Sequence, residues 1–317
     1  MKRYNVTKSE IRLDIYLIDL IPELTRSKIQ LLIKNQQILV NNNPAKPSYI
    51  LKGDETISYK MESSSNNVNK DILPENISLD VIYEDSSIIV LNKAPGMVVH
   101  PGAGNYSGTL LNAVIDKIDQ SDFDSTPGIV HRLDKETSGV IIVAKNFSSH
   151  NFISNQFQNR SVKKIYKALV WGQCSSKGNI RGNIIRNNKN RKTMILTDSD
   201  NGRYSETDYE LIDFNAPISL VKLKPLTGRT HQIRVHMKSI GHPILSDQAY
   251  SGGDKMIKSF HVKYSRKLKR ALKEIPRVAL HAESIQIIHP ETGDKVEFST
   301  KIPDDFNNAI AALQSDE

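Results

Sequence analysis

The chain has 317 residues, 43 Lys and Arg against 35 Asp and Glu, a net charge of +8 and 38% hydrophobic residues. That length allows one large or two modest domains with a substantial core, and no apolar run approaches the roughly 20 residues of a membrane helix. A single cysteine, Cys174, excludes an intramolecular disulfide or a multi-cysteine zinc site; with a polar start that lacks an apolar signal core, it predicts a cytoplasmic protein.

Residues 1–60 read as a small helical module ending in strands. Leu13, Tyr16, Leu17 and Leu20 make one helical apolar face, and Ile29, Leu32 and Ile33 make a second behind a cap at Ser27. Ile38–Val40 and Thr56–Tyr59 are short strands, separated by the turn chemistry of Asn41–Pro44 and Gly53-Asp54. Arg12, Arg26, Lys28, Lys34, Lys46 and Lys52 fall on exposed positions. Residues 61–75 include Ser63-Ser64-Ser65-Asn66-Asn67 and are expected to be a flexible linker. The second domain is expected over 76–317.

Val81–Tyr83 and Ile88–Leu91 predict paired strands around Glu84-Asp85-Ser86. The glycines of Gly102-Ala103-Gly104-Asn105-Tyr106-Ser107-Gly108 miss the dinucleotide-binding spacing, so no such fold is read there. Thr109–Ile118 predicts an amphipathic helix. The stretch Pro127–Gly139 sets one carboxylate, Asp134, among His131, Arg132 and Lys135, then feeds the β-branched run Val140–Ala144, a buried strand. A carboxylate among cations at the mouth of a buried strand can serve as nucleophile or base, or can be a surface ion cluster. A helix over Phe147–Gln158 and a strand over Val162–Gly172 follow.

Charge is segregated in this half. Arg160–Thr193 holds ten Lys and Arg and no acid, and Lys255–Arg277 holds nine with one acid, Glu274. An acidic patch, Asp198 to Asp213, lies between. Blocks of this size point to a polyanion, nucleic acid first. Strands outnumber helices, which predicts an α+β domain on a large mixed, mainly antiparallel sheet, beside a small N-terminal α/β domain. Metal, nucleotide-triphosphate and nucleophile-elbow signatures are missing: His231 and His236 are five apart with no acid between, and Ser138 lacks flanking glycines. Asp134 and Glu136 are too close in sequence to oppose each other as a glycosidase pair.

Two resemblances tie these observations together. Arg12-Leu13-Asp14, Thr25–Gln30, Leu32-Ile33, Val40-Asn41 and Gly53-Asp54 resemble the small RNA-binding domain of ribosomal small-subunit protein four, which would make Arg12, Arg26 and Lys28 phosphate contacts. Leu91–Pro101, His131–Gly139, Ile165–Gly172 and Gly228–His236 resemble the RluA-type pseudouridine synthases, and within them the D subtype that modifies large-subunit ribosomal RNA. With the first module this covers nearly the whole chain. The second resemblance implies isomerisation of uridine to pseudouridine without a cofactor or metal, in large-subunit rRNA (the helix 69 stem-loop); a monomer is the default expectation, since the sequence does not carry the oligomeric state. By position it implies Asp134 as the catalytic aspartate, Arg234 as the arginine paired with it, and Tyr166 as the aromatic that stacks on the target base. Arg132 would fill the gap left by an everted uridine or contact phosphate. Asp134 could attack C1′, add to the base or remove a ribose proton. The competing expectation is an rRNA-binding assembly factor without chemistry; a weaker one is a nucleoside or glycan hydrolase.

Overall fold

The computed structural model describes residues 2–21, 24, 26–59, 72–102, 104–119 and 128–315, with backbone alone at 2, 27 and 28. Two compact units divide the chain at Lys70/Asp71.

The first unit runs β1 (Lys2–Asn5), β2 (Ile11–Arg12), α1 (Leu13–Leu20), α2 (Arg26–Lys34), β3 (Ile38–Val40), β4 (Asn43–Pro44), β5 (Ile50–Leu51) and β6 (Thr56–Tyr59). A four-stranded sheet, ordered β1-β6-β3-β4, and a β2–β5 ribbon carry the two helices. The apolar faces predicted from helical spacing close the core: Leu13 and Leu17 of α1 and Ile29 and Ile33 of α2 are buried against Ile38 and Ile57. Helix α2 begins at Arg26, so Ser27 lies inside it rather than capping it.

The second unit contains β7 (Val81–Glu84), β8 (Ile88–Lys93), α3 (Leu110–Val114), β9 (Ser138–Ala144), α4 (Phe147–Gln158), β10 (Lys163–Trp171), β11 (Lys177–Arg186), β12 (Met194–Thr197), β13 (Arg203–Asn215) and β14 (Ile218–Pro225). Then come α5 (Gln232–Ser239), short 3-10 turns, α6 (Ser265–Glu274), β15 (Leu280–Ile288), β16 (Lys295–Ser299) and α7 (Asp304–Gln314). The sheet order is β12-β11-β13-β14-β10-β15-β9-β8-β7, with β16 beside β15. Every pairing is antiparallel except β9 with β15, so the sheet is mixed and mainly antiparallel, as the sequence predicts.

All seven residues of β9 are buried, because helices cover both faces. Alternation sends Ile141 and Val143 to the α3 side, while Val140 and Ile142 pack with Ile153 of α4. The parallel contact is short, His281 with Ser138 and Ala282 with Gly139. It needs glycine at 139: φ is +115°, and a Cβ there would stand 2.1 Å from the Ala282 carbonyl oxygen.

Two expectations need correction. The helix predicted over 109–118 is α3 and one 3-10 turn, and all five α3 residues are buried, so it is a core helix and not an amphipathic one. Thr109 and Asn112 close its start as a reciprocal cap. Of the linker expected at 61–75, residues 61–71 lie outside the described ones. Residues 73–75 are tied to the second unit: the Asn112 amide donates to the Leu73 carbonyl, and the Gly108 amide donates to the Glu75 carboxylate.

Candidate active site

The turn before β9 is fixed from several sides before any substrate is considered. Leu133 is buried in the α3-side core. The His131 Nε2 accepts the Ile142 amide at 2.9 Å, and its ring stacks on Phe157. Burial, and then the nearby Lys164 charge, push that imidazole down to about 3, so it stays a neutral acceptor. Lys93, 1% exposed, reaches under the turn and donates to the carbonyls of Ala94, Met97 and Lys135 at 2.8, 3.0 and 3.2 Å. On the far side Arg277 donates to the Glu136 carbonyl and grips Asp305 of α7 in a bidentate pair. The Glu136 carboxylate accepts the Val278 amide. With the backbone held this way, the Asp134 side chain is left facing a cleft of ≈ 370 Å³, within the range of small-ligand sites.

The opposite wall comes from α5. The chain enters this helix through His231 in a left-handed conformation, φ 56°. Gln232, buried, uses its whole amide: it accepts from the Thr227 hydroxyl and the Arg229 amide, and donates to the Glu206 carbonyl and Thr207 hydroxyl. The start of α5 is thereby locked to β13, and Arg234 points into the cleft. Its Nη1 lies 3.2 Å from Asp134 Oδ2, while Nε and Nη2 bind both oxygens of buried Asp247 at 2.7 and 2.9 Å. Burial opposes the guanidinium charge, but the Asp247 hydrogen bonds and charge, and then Asp134, outweigh it and raise its pKa above the usual value. The group is a permanent cation. Its Cζ lies 4.8 Å from the Tyr250 ring centroid, and the Tyr250 hydroxyl is 2.8 Å from His231 Nδ1. The other nitrogen of His231 is 3.8 Å from Asp134 Oδ2. Burial lowers the His231 pKa, which favours a neutral ring at pH 7.

Tyr166 of β10 lines the same cleft, packed between the two main core clusters. Burial and then the Asp134 charge push its hydroxyl up, so it carries its proton and can donate it to a hydrogen bond. Arg132, Arg160, Lys164 and Arg229 complete a basic mouth. Arg132 is exposed and makes no hydrogen bond or ion pair among the described residues. The structure therefore brings Asp134, Tyr166, Arg234 and Arg132 to one cleft from four parts of the sequence. It adds three groups the sequence reading did not single out: Asp247, Lys93 and the Tyr250–His231 contact. A lysine closing an apolar run, as Lys93 closes β8 after Asn92, was the one legible signal among them.

In the first unit, Arg12 and Arg26 are not simple exposed cations. Both close on the buried carboxylate of Asp14, which also accepts from Gln30 at 2.6 Å. Burial opposes the charge of Asp14, and these donors outweigh it, holding the carboxyl down to about 2. Each arginine remains about half exposed, 41% and 50% by side chain. The Lys28 side chain lies outside the described residues.

A basic cleft with a carboxylate beside a fixed guanidinium suits an anionic substrate such as nucleic acid. The RNA pseudouridylate synthase family model matches residues 87–239, and the S4 domain model matches residues 11–57. An uncharacterized RNA pseudouridine synthase of Chlorobaculum parvum is 37% identical over 316 residues, 97% of this chain and 95% of the relative. The ribosomal large subunit pseudouridine synthase D of Pseudomonas aeruginosa is 36% identical, covering 96% of this chain and 92% of its own. The Neisseria meningitidis protein of the same description is 37% identical over 96% of this chain and 79% of its own. Among solved structures, human RNA pseudouridylate synthase domain containing 1 aligns with TM-score 0.53 at 30% identity, over 71% of this chain and 84% of its own. The chain belongs to the RNA pseudouridine synthase family, enzymes that isomerise uridine within RNA, and it carries an S4 domain.

Proposed function

We propose that this enzyme forms pseudouridine in large-subunit ribosomal RNA, at the helix 69 stem-loop, with Asp134 as its single catalytic carboxylate. The observation that carries the reading is the Asp134–Arg234 contact of 3.2 Å inside a basic cleft that Tyr166 also lines. The likeness to the D synthases supports the choice of RNA. The enzyme acts as a cytoplasmic monomer on the rRNA or its precursor particle.

The reaction breaks the N1–C1′ bond, turns the uracil, joins C5 to C1′, releases the C5 proton and returns a proton to N1. Atoms balance without an oxidant or a hydrolytic water. An everted uridine entering the cleft meets the Asp134 carboxylate at the floor. Arg234 donates to one oxygen of Asp134, leaving the other for the ribose or base. Tyr166 offers a ring face for stacking and a protonated hydroxyl for a uracil carbonyl. Arg132, unpartnered at the mouth, takes the place of the everted base in the helix. Arg12, Arg26 and Lys28 contact phosphates elsewhere on the RNA, the first two with the guanidinium edges that Asp14 leaves open.

The test maps pseudouridine by mass spectrometry in rRNA incubated with purified protein. Wild-type protein is expected to modify uridine in helix 69, and Asp134→Asn and Asp134→Ala to modify nothing while melting at the wild-type temperature. Persistent modification by either variant overturns the catalytic assignment; modification confined to other rRNA sites overturns the target.

A further inference from the structure

We propose that α6 and the 3-10 turns before it form a second RNA-contact surface, distinct from the active-site cleft, that takes the phosphate backbone of RNA beyond the target stem-loop. This rests on the reading of the chain as an RNA-modifying enzyme.

Helix α6 is divided sharply by its own periodicity. Leu268 and Ala271 are buried, and Ile275 beyond its end continues the same face into the core. Arg266, Lys269 and Lys273, spaced i, i+3 and i+7, are exposed along another stripe. Lys255 and Lys258 are exposed on the preceding turns. None of these five has a hydrogen bond or ion pair among the described residues; exposed acids within the segment are Asp254 at its start and Glu274 at its end. Lys273, in the last turn, favours the helix dipole. Arg266 does not: it sits in the first turn of a helix with no acid there, where its charge opposes the dipole. Helix stability therefore does not account for the stripe. A polyanion does, since each phosphate neutralised offsets mutual repulsion and releases counterions.

A groove gives the surface a second element. Lys258 and Lys269, with one carboxylate, Asp254, line a hollow of ≈ 710 Å³ together with Ile257, Phe260 and Leu272. Phe260 is stacked on the buried Trp171, 5.5 Å between centroids, so the floor is rigid. Val262, 77% exposed, borders it. Cations above an apolar, partly aromatic floor match a single RNA strand, whose phosphates face outward while riboses and bases shed water. An acidic peptide would satisfy the cations alone.

The test compares two RNA probes, a full-length large-subunit rRNA transcript and an isolated helix 69 stem-loop. The protein is the full chain or its triple variant Lys258→Gln, Arg266→Gln, Lys269→Gln. The variant is expected to bind the long transcript about tenfold more weakly near 0.15 M salt and to lower the slope of log K against log salt by about 2, three contacts at about 0.7 each. Its affinity for the stem-loop, and its rate of pseudouridine formation there, are expected to match wild type. The pair Lys258→Arg and Lys269→Arg, which keeps the charges, is expected to retain long-transcript binding. An unchanged salt slope overturns the proposal. So does equal weakening on both RNAs. Absence of pseudouridine from wild-type reactions would instead count against the proposed function, because binding is read without catalysis.

Discussion

Asp247 is the residue on which the placement of Arg234 depends, and Asp247→Asn isolates that dependence. The carboxylate is fully buried, takes two of the guanidinium's donors at 2.7 and 2.9 Å, and also accepts the Tyr250 amide at 3.2 Å. Asparagine keeps the shape and one acceptor, but sets an N–H donor against a second N–H and removes the negative charge. Deleting a partner from a buried ion pair costs about 3–5 kcal/mol, and the retained acceptor places this case near about 2–3 kcal/mol. For a domain of this size, that lowers the melting temperature by about 4–12 °C. Arg234, freed at one edge, turns toward Asp134 and can take both of its oxygens, which withdraws the carboxylate from the substrate. We expect kcat to fall about 10- to 100-fold, about 1.4–2.7 kcal/mol, with KM little changed because Asp247 is buried. The assay is single-turnover release of tritium from RNA carrying 5-tritiated uridine, since C5 gives up its hydrogen when it bonds to ribose. A variant that melts lower yet turns over at the wild-type rate would refute the argument that Asp247 positions Arg234.

Three other outcomes follow from the same geometry. Gly139→Ala forces a Cβ into the Ala282 carbonyl at a φ that alanine resists; the expected cost exceeds about 3 kcal/mol and shows as loss of cooperative thermal unfolding at the wild-type temperature. Tyr166→Phe keeps the ring and is expected to preserve RNA affinity while slowing turnover, whereas Tyr166→Leu loses about 1–3 kcal/mol of stacking, read as a rise in stem-loop Kd. His236 and His281 are buried and pushed down to about 4 by desolvation, so below pH 6.5 the unfolded chain takes up protons that the folded chain refuses. Stability then falls as pH falls from about 6.5 toward 4, by about 2 kcal/mol for each histidine at pH 5. Urea unfolding at pH 7 and 5 measures it; His131, pushed down to about 3, adds a comparable share, so His236→Gln should remove about a third of the loss.

The sequence was most informative where structure is local and periodic. The helical apolar spacing of residues 13–33 and the unbroken β-branched run 140–144 each dictate one burial pattern, and both elements form where expected. Residues 226–236 were less legible. Helix α5 starts from a left-handed histidine and is anchored by Gln232 to a strand some 25 residues earlier, so no capping residue announces it. The carboxylate at 134 and the guanidinium at 234 meet only through the folded sheet; family likeness brought them together in the reading, and local pattern could not. Arg12 and Arg26 show the opposite limit. Counted as surface charge, they are also the two clamps on Asp14, a pairing across 12 residues that charge counting does not reveal.

The grip of Arg277 on Asp305 ties the order of folding to the geometry of the site. The turn that carries Asp134 is braced through Arg277 by a carboxylate 171 residues further on, in the last helix of the unit. Until that helix packs, Arg277 lacks its bidentate partner and the turn lacks one of its supports. The loop that places the Asp134 carboxylate is thus completed only when the last helix of the unit packs.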